Sequence, residues 1–173
     1  MQKNFNFLIS YPRFHERDAI AEIWYVFSNI GEEDVRAERT PFPGLLTAKT
    51  SSDPIENTIK LRNLVEEDPT YLRFALKFIP IEVVIDTTLE KIVEIIQNLE
   101  KRIDRNETFR ITLKQRRSPF ESQELIIKVA DCIDRKVNLS QPDKIVMVQI
   151  LGDYTGLSLL KPEHILSKAE FVL

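Results

Sequence analysis

The sequence has few of the residues from which catalytic and metal sites are most often built. Its 173 residues include one cysteine, four glycines and two histidines. A single cysteine, Cys132, excludes an intrachain disulfide and a cysteine-rich metal site. The glycines do not have the spacing of a phosphate-binding loop. His15 and His164 lack the local partners of a zinc site or a Ser-His-Asp triad. The sequence therefore predicts no catalytic residue, no metal and no cofactor.

Long apolar runs are missing as well. No stretch approaches the ~20 residues of a membrane span, and the apolar part of the N-terminus is too short for a signal peptide. We therefore expect a soluble, cytoplasmic protein without a membrane partner. Hydrophobic residues make up 43% of the chain and charged residues 29%, which are ordinary proportions for a globular protein.

Charge is distributed unevenly along the chain. The formal net charge is −3, which by itself argues weakly against nucleic-acid binding. Residues 1–85 carry ten Lys or Arg and thirteen Asp or Glu, whereas residues 86–173 carry fourteen of each. Residues 105–117 contain five cations and a single acid, Glu107. We therefore expect a local positive potential in the second half, in spite of the negative total.

The first half has the element order of a ferredoxin-like domain. Its apolar pattern predicts a strand, a helix, two strands that form a hairpin, a second helix and a further strand. Asp53 and Pro54 mark the start of the second helix. This order is the βαββαβ pattern, which we assign to residues 1–85. The apolar stripe of the first helix consists of Ala19, Ile20, Ile23, Trp24, Phe27 and Ile30.

Residues 71–85 alternate in a way that predicts one long strand. The apolar side chains of this strand would lie on one face, and Arg73 and Lys77 would lie on the other, exposed to solvent. The alternating apolar residues are Leu72, Phe74, Leu76 and Phe78.

The second half predicts an α/β domain over residues 86–173. It begins with an amphipathic helix that a threonine can cap. A strand, a helix from Pro119 to about Asp134, a near-continuous apolar strand at residues 144–152, a last strand and a final helical turn follow. No glycine- or serine-rich linker separates the halves, so we expect the first domain to pack on the second. The stripe of the amphipathic helix consists of Leu89, Ile92, Val93, Ile96, Leu99 and Ile103.

The stretch "FRITLKQRRSPFESQEL", residues 109–125, combines a strand with a basic turn. Apolar residues alternate with Arg110 and Lys114, which indicates a half-buried strand with cations on its solvent face. Ser118, Pro119 and Glu121 then have the spacing of a capping box at a helix start.

Arg116 and Arg117 precede this helix start, where cations do not favour folding because the helix dipole is positive. Backbone N–H groups at a helix start bind anions, and arginine grips phosphate in a fork. Lys101 and Arg105 follow the preceding helix and could extend the same patch. A basic strand face is often only a solvated surface, but this combination favours phosphate binding.

Residues 78–166 resemble a THUMP domain. The resemblance rests on the succession of "RFALKFIPIEVVIDTTLEKI", "TFRITLKQRRSPFESQELIIKVADCI" and "KVNLSQPDKIVMVQILGDYTGLSLL". The chain as a whole resembles stand-alone THUMP proteins that act as tRNA acetyltransferase adaptors. This resemblance implies a ferredoxin-like domain that leads into an α/β THUMP domain and binds tRNA.

The resemblance implies a non-catalytic adaptor that presents tRNA to a separate RNA cytidine acetyltransferase. We expect no enzyme activity, since THUMP enzymes carry a catalytic domain that this sequence lacks. The predicted RNA-binding residues are Arg110, Lys114, Arg116, Arg117, Ser118, Lys101, Arg105, Arg73 and Lys77. Two alternatives stay open: a protein-interaction or structural module without RNA contact, and an enzyme with an unfamiliar site.

Overall fold

The computed structural model describes residue 1 and residues 3–172. The chain divides into two compact units. The first contains the residues up to Ile81 and those from Glu163 onward, and the second contains Glu82–Pro162. Within the described residues, none of the helices has the length and apolar character needed to cross a bilayer.

The first unit has a ferredoxin-like topology, as the sequence predicts. Its sheet is antiparallel in the order β4-β1-β3-β2, and a short strand, β10, pairs with the outer edge of β4. The elements are β1 (Phe7–Ser10), α1 (Glu16–Ser28), β2 (Arg36–Arg39), β3 (Leu45–Lys49), α2 (Pro54–Glu67), β4 (Lys77–Pro80) and β10 (Leu166–Ser167).

Side-chain caps and apolar contacts fix the two helices of the first unit. Asp53 caps α2, because its carboxylate accepts a hydrogen bond from the Ile55 N–H at 2.7 Å. Helix α1 buries Phe27 against Phe7, with ring centroids 5.2 Å apart. The predicted stripe of α1 is wrong at Trp24, whose side chain is 54% exposed.

The predicted long strand over residues 71–85 is wrong. The structure has β4 in the first sheet and a separate strand, β5 (Val83–Asp86), in the second. Residues 71–76 form no strand, because the Glu22 carboxylate accepts hydrogen bonds from successive backbone N–H groups. These belong to Arg73, Phe74 and Ala75, at 2.5, 2.9 and 2.6 Å. Their N–H groups are thus unavailable to a strand ladder.

The second unit is a mixed five-stranded sheet in the order β5-β9-β8-β6-β7. Strand β6 is parallel to β7 and β8, whereas β9 is antiparallel to β5 and β8. This arrangement agrees with the predicted α/β class. The elements after β5 are α3 (Leu89–Glu100), β6 (Thr108–Arg116), α4 (Ser122–Asp131), β7 (Lys136–Val137), β8 (Lys144–Leu151) and β9 (Tyr154–Leu160).

The core of the second unit lies on one face of this sheet. Thr88 caps α3 by accepting a hydrogen bond from the Lys91 N–H at 3.3 Å. The apolar stripe of α3, Ile92, Ile96 and Leu99, is buried as the sequence predicts. It joins a cluster that also contains Phe109, Leu125, Val129, Val146 and Val148.

The C-terminal residues do not follow the expected division into 1–85 and 86–173. Leu166 pairs with Phe78 of β4 and lies in the core of the first unit. The Arg62 guanidinium donates hydrogen bonds to the carbonyl oxygens of Glu163 and Ile165, at 3.0 and 2.7 Å. Residues from Glu163 onward therefore complete the first unit.

Candidate nucleic-acid interface

Strand β6 carries its cations on the sheet face that points away from α3 and α4. Phe109, Ile111 and Leu113 belong to the core cluster on the other face. Because side chains alternate along a strand, Arg110, Lys114 and Arg116 share the opposite face. Arg110 and Lys114 are four residues apart, or ~13 Å, and Arg116 follows ~7 Å further on. The predicted alternation of β6 is therefore confirmed.

Both arginines on this face of β6 are held in place by hydrogen bonds. Arg110 is half-buried, and its Nη1 donates to the Leu139 carbonyl oxygen at 3.1 Å. Arg116 is also half-buried, and its Nη1 donates to Oε1 of Gln149 at 3.1 Å. Burial lowers the pKa of Arg116 from its usual value, but arginine remains charged at neutral pH. Lys114 is exposed.

Gln149 is a site residue that the sequence analysis did not identify. Its side chain is 3% exposed, and its Nε2 donates to Sδ of Met147 at 3.2 Å. It lies on β8 in register with Lys114. The available signal was a polar residue inside an otherwise apolar run, "KIVMVQILG". Such a residue usually needs a buried partner, and here Arg116 provides it.

A tight turn follows β6. Arg117 is exposed and has a positive φ of 52°, a region that non-glycine residues seldom adopt. The Gly152 N–H donates to the Arg116 carbonyl oxygen at 2.8 Å, which ties the turn to the β8–β9 connection. The Ser118 hydroxyl donates to Oε1 of Gln115 and accepts from the Phe120 N–H at 3.2 Å. Ser118 therefore shapes the turn.

The predicted capping box at Ser118 is wrong. Helix α4 begins at Ser122, and its cap is Glu121. The Glu121 carboxylate accepts hydrogen bonds from the N–H groups of Glu124 and Gln123, which lower its pKa. Because a carboxylate already binds this helix start, the start does not offer those N–H groups to a phosphate. An anion at this surface would therefore have to be held by the side chains of the β6 strand and turn, without those N–H groups.

Lys101 and Arg105 lie away from the basic turn. Lys101 is the C-terminal cap of α3, and Arg105 lies in the loop that leads into β6. Both are exposed at the amino end of β6, whereas Arg116 and Arg117 lie at its carboxyl end. The nine residues of β6 span about 26 Å. The expectation that Lys101 and Arg105 reinforce the Arg116–Arg117 turn is therefore wrong. Among the cations of β6, Arg110 is nearer to them than Arg116 is.

Arg73 and Lys77 belong to the first unit. Lys77 is the first residue of β4 and is exposed, in register with Ser10 and Ser167. Arg73 is exposed in the segment that Glu22 binds, and its carbonyl oxygen accepts a hydrogen bond from Nζ of Lys168 at 3.0 Å. The predicted site residues are thus divided between the two units, with seven in the second.

Cys132 and His15 occupy structural positions. The Cys132 thiol donates to the Lys128 carbonyl oxygen at 3.2 Å, and burial raises its pKa, which disfavours the reactive thiolate. His15 contacts Asp18 at 3.2 Å and lies against the ring of Phe74. Over residues 1 and 3–172, the structure contains no group of three or more residues arranged to hold a metal ion.

The second unit matches a known family. Residues 86–160 match the family model of the THUMP domain, and the chain therefore contains a THUMP domain. A search of curated protein sequences finds no match to the chain.

Several solved structures share the fold of the chain. PH1313 from Pyrococcus horikoshii has a TM-score of 0.60 and 18% identity, covering 91% of this chain and 55% of its own. TrmN from Thermus thermophilus has a TM-score of 0.59 and 17% identity, with 91% and 46% covered. A 4-thiouridine synthetase solved as an RNA complex with bound ATP has a TM-score of 0.57 and 11% identity, with 95% and 42% covered. The chain thus spans about half the length of these proteins, or less.

Proposed function

We propose that this chain is a non-catalytic adaptor that binds tRNA through its THUMP domain and presents it to a separate RNA cytidine acetyltransferase. The observation that carries the RNA-binding part is the arrangement of cations along β6 and its turn. Arg110 and Arg116 are pre-oriented by hydrogen bonds, and Lys114 and Arg117 are exposed beside them. A THUMP domain is the setting in which such a surface favours RNA.

Pre-orientation matters because it reduces the side-chain entropy lost on binding. An arginine already held in one rotamer loses less freedom when it contacts a phosphate than a free side chain does. Its remaining N–H groups can still pair with phosphate oxygens in a fork. Arg116 uses one Nη1 contact for Gln149, so the guanidinium retains donors for a phosphate.

The adaptor part of the proposal rests on sequence. The chain has a single cysteine, two histidines and no phosphate-binding glycine loop, and it resembles adaptor proteins of the THUMP type. Phosphate contacts position a nucleic acid without reading its bases. An adaptor of this kind would contribute orientation, which can lower a reaction barrier by several kcal/mol when the reactive groups are held together.

Charge reversal at the two exposed cations tests the RNA-binding surface. Lys114→Glu with Arg117→Glu should weaken tRNA binding at least about tenfold and flatten its salt dependence, because phosphate contacts release counterions. The matched control, Lys128→Glu with Lys136→Glu, changes the net charge equally at exposed positions of the same unit. Equal affinities for both folded double variants would contradict the assignment.

The second candidate function is a protein-interaction module without RNA contact. The exposed aromatic side chains of the first unit, among them Trp24 and Tyr25, favour a protein partner. Salt-titrated tRNA binding by the wild-type chain separates the two functions. If the logarithm of the tRNA binding constant falls linearly with the logarithm of the salt concentration, the result supports the RNA function. If the chain does not bind tRNA even at low salt, the protein-interaction function remains.

A further inference from the structure

The connection between β7 and β8 supplies the hydrogen-bond acceptor that fixes Arg110. The acceptor is the backbone carbonyl oxygen of Leu139, 3.1 Å from Nη1 of Arg110. The other two nitrogens of this guanidinium, Nε and Nη2, form no hydrogen bond within the part of the chain that the structure describes. Two parallel N–H groups of an arginine can pair with two phosphate oxygens at once. The bond to Leu139 therefore orients Arg110 and leaves one edge of its guanidinium open to a phosphate.

The side chain of Asn138 shapes the backbone that carries this carbonyl. Its Oδ1 accepts hydrogen bonds from the N–H groups of Ser140 and Gln141, at 3.2 and 3.0 Å. It also accepts from the Ser140 hydroxyl at 3.2 Å. This arrangement is an Asx-turn, in which a side-chain oxygen takes the place of a backbone acceptor. Leu139 is the residue that the turn encloses, so Asn138 sets the direction of the Leu139 carbonyl.

Both ends of this turn are anchored on β6. At its start, the Asn138 N–H donates to the Phe109 carbonyl oxygen at 3.0 Å. At its end, the Asp143 carboxylate accepts hydrogen bonds from the N–H and the hydroxyl of Thr108, at 2.8 and 3.1 Å. The Asp143 N–H donates in turn to the Thr108 carbonyl oxygen at 3.1 Å. The turn is thus fixed to the same strand that carries Arg110.

The turn contributes geometry and not positive charge. Among residues 138–143 only Asp143 is ionisable, and it is negative. Thr108, which binds the Asp143 carboxylate, lies on the same face of β6 as Arg110 and about 7 Å from it. A freely moving Arg110 could therefore pair with this acid.

The structure has Arg110 bonded to the neutral Leu139 carbonyl instead. Over the described residues, Arg110 and Asp143 form no ion pair. A carbonyl oxygen holds a guanidinium in one orientation without neutralising its charge, whereas a carboxylate would neutralise it. The turn therefore keeps Arg110 both oriented and positively charged at the surface of β6.

We propose that Asn138 is a positioning residue for RNA binding: it fixes the Leu139 carbonyl, which holds Arg110 in the orientation that contacts a phosphate. This inference rests on the proposed function, because it requires tRNA to bind along β6. The Leu139 side chain, which is 71% exposed, has no part in it, since only the backbone carbonyl accepts the bond. The effect of Asn138 on binding thus passes through one named cation.

A double-mutant cycle in the full chain, read out by tRNA titration at several salt concentrations, tests the coupling of Asn138 to Arg110. Arg110→Ala should weaken tRNA binding about tenfold and lower the slope of the salt dependence by about one. Asn138→Ala should weaken binding at least about threefold, because Arg110 is no longer pre-oriented, and should lower the slope as well. Adding Asn138→Ala to Arg110→Ala should change the affinity by less than about twofold, since the residue that Asn138 positions is then missing.

Two further variants of the turn separate positioning from folding. Leu139→Ala keeps the carbonyl and removes an exposed side chain, so it is the matched control and should bind tRNA within about twofold of wild type. Asn138→Ser keeps a neutral oxygen that can accept from the N–H two residues on, and it should recover part of the affinity that Asn138→Ala loses. Urea unfolding checks that each variant is folded under the binding conditions. If Asn138→Ala is not, Asn138→Ser takes its place in the cycle.

The outcomes distinguish a failure of this inference from a failure of the proposed function. Wild-type tRNA affinity in a folded Asn138→Ala chain overturns the positioning role and leaves RNA binding standing. The same holds if the loss caused by Asn138→Ala is undiminished in the Arg110→Ala background. Loss of binding in Leu139→Ala assigns the effect to that side chain and also overturns the inference. A wild-type chain that does not bind tRNA overturns the proposed function, and this inference with it.

Discussion

Arg116 donates a hydrogen bond through its guanidinium to the buried side chain of Gln149, with 3.1 Å between Nη1 and Oε1. A cation on the predicted RNA-binding strand is thus fixed by a polar residue on its neighbour. Gln149 is 3% exposed, so its side-chain oxygen cannot readily exchange this bond for one with water. The contact couples the stability of the second unit to the orientation of a residue that we propose binds RNA.

Removal of the acceptor should destabilise the second unit. Gln149→Leu leaves the half-buried Arg116 charge without its acceptor and should cost about 1–3 kcal/mol of unfolding free energy. Replacing both residues, with Arg116→Leu added, should recover part of this loss while tRNA affinity falls further. Urea unfolding of the two variants measures the unfolding free energy, and tRNA titration measures the affinity. If Gln149→Leu is as stable as wild type, the bond does not hold Arg116.

Replacing Arg117 by glycine should have opposite effects on the stability of the chain and on its affinity for tRNA. Arg117→Gly relieves the positive φ and should leave the melting temperature equal or higher. It also removes a cation, so tRNA affinity should fall and the slope of the salt dependence should decrease by about one. Arg117→Lys keeps the charge and the strain and serves as control. Lower stability in Arg117→Gly would show that its side-chain contacts outweigh the strain.

Acid should destabilise the first unit through Glu32. Burial alone would raise the pKa of Glu32, but hydrogen bonds from Ser52, Ser51 and Asn57 outweigh burial and lower it to about 2. A lowered folded-state pKa gives stability above pH ~4.5 that is lost as the pH falls toward 2. Because Glu32 is only 3% exposed, the stability that depends on its ionisation amounts to about 3 kcal/mol.

The Glu32→Gln variant isolates this contribution. Its unfolding free energy should be lower than that of wild type at pH 7, and the gap should narrow as the pH falls below 4.5. Other carboxylates with lowered pKa values, such as Asp143, titrate equally in both proteins and cancel in the difference. A gap that stays constant from pH 7 to pH 2 would contradict the assigned pKa.

Trp24 and Phe27 should differ sharply in their effect on stability. Trp24→Ala removes an exposed ring and should change the unfolding free energy by no more than about 0.5 kcal/mol. Phe27→Ala opens the core beside Phe7 and Phe78 and should cost about 3–5 kcal/mol. Chemical unfolding measures both. Comparable losses would mean that Trp24 is buried, as its place in the helical stripe first predicts.

The apolar pattern was enough to predict much of the fold. The stripe of Ile92, Ile96 and Leu99 and the alternation of Phe109, Ile111 and Leu113 face the core, because burial of apolar area is the main driving force. Each pattern is local, and only one orientation of its helix or strand buries the apolar side chains. The element order of the first unit follows from the same kind of signal.

Other features depended on contacts between residues distant in sequence, which no local pattern contains. The 71–76 segment alternates like a strand, but Glu22 on α1 captures its N–H groups. The late start of the helix after β6 has a different and local cause, since Glu121 and not Ser118 caps it. Gln149 holds Arg116 only because the parallel pairing of β6 and β8 brings them together.

The most direct test of the account is acetylation of a tRNA cytidine by the purified acetyltransferase, with and without this chain, at limiting tRNA. The account predicts that the wild-type chain and the Lys128→Glu/Lys136→Glu control raise the rate. It predicts that Lys114→Glu/Arg117→Glu, which keeps its fold, gives a much smaller increase, and that the chain alone modifies nothing. Equal rates with and without the wild-type chain, or modification by the chain alone, would contradict it.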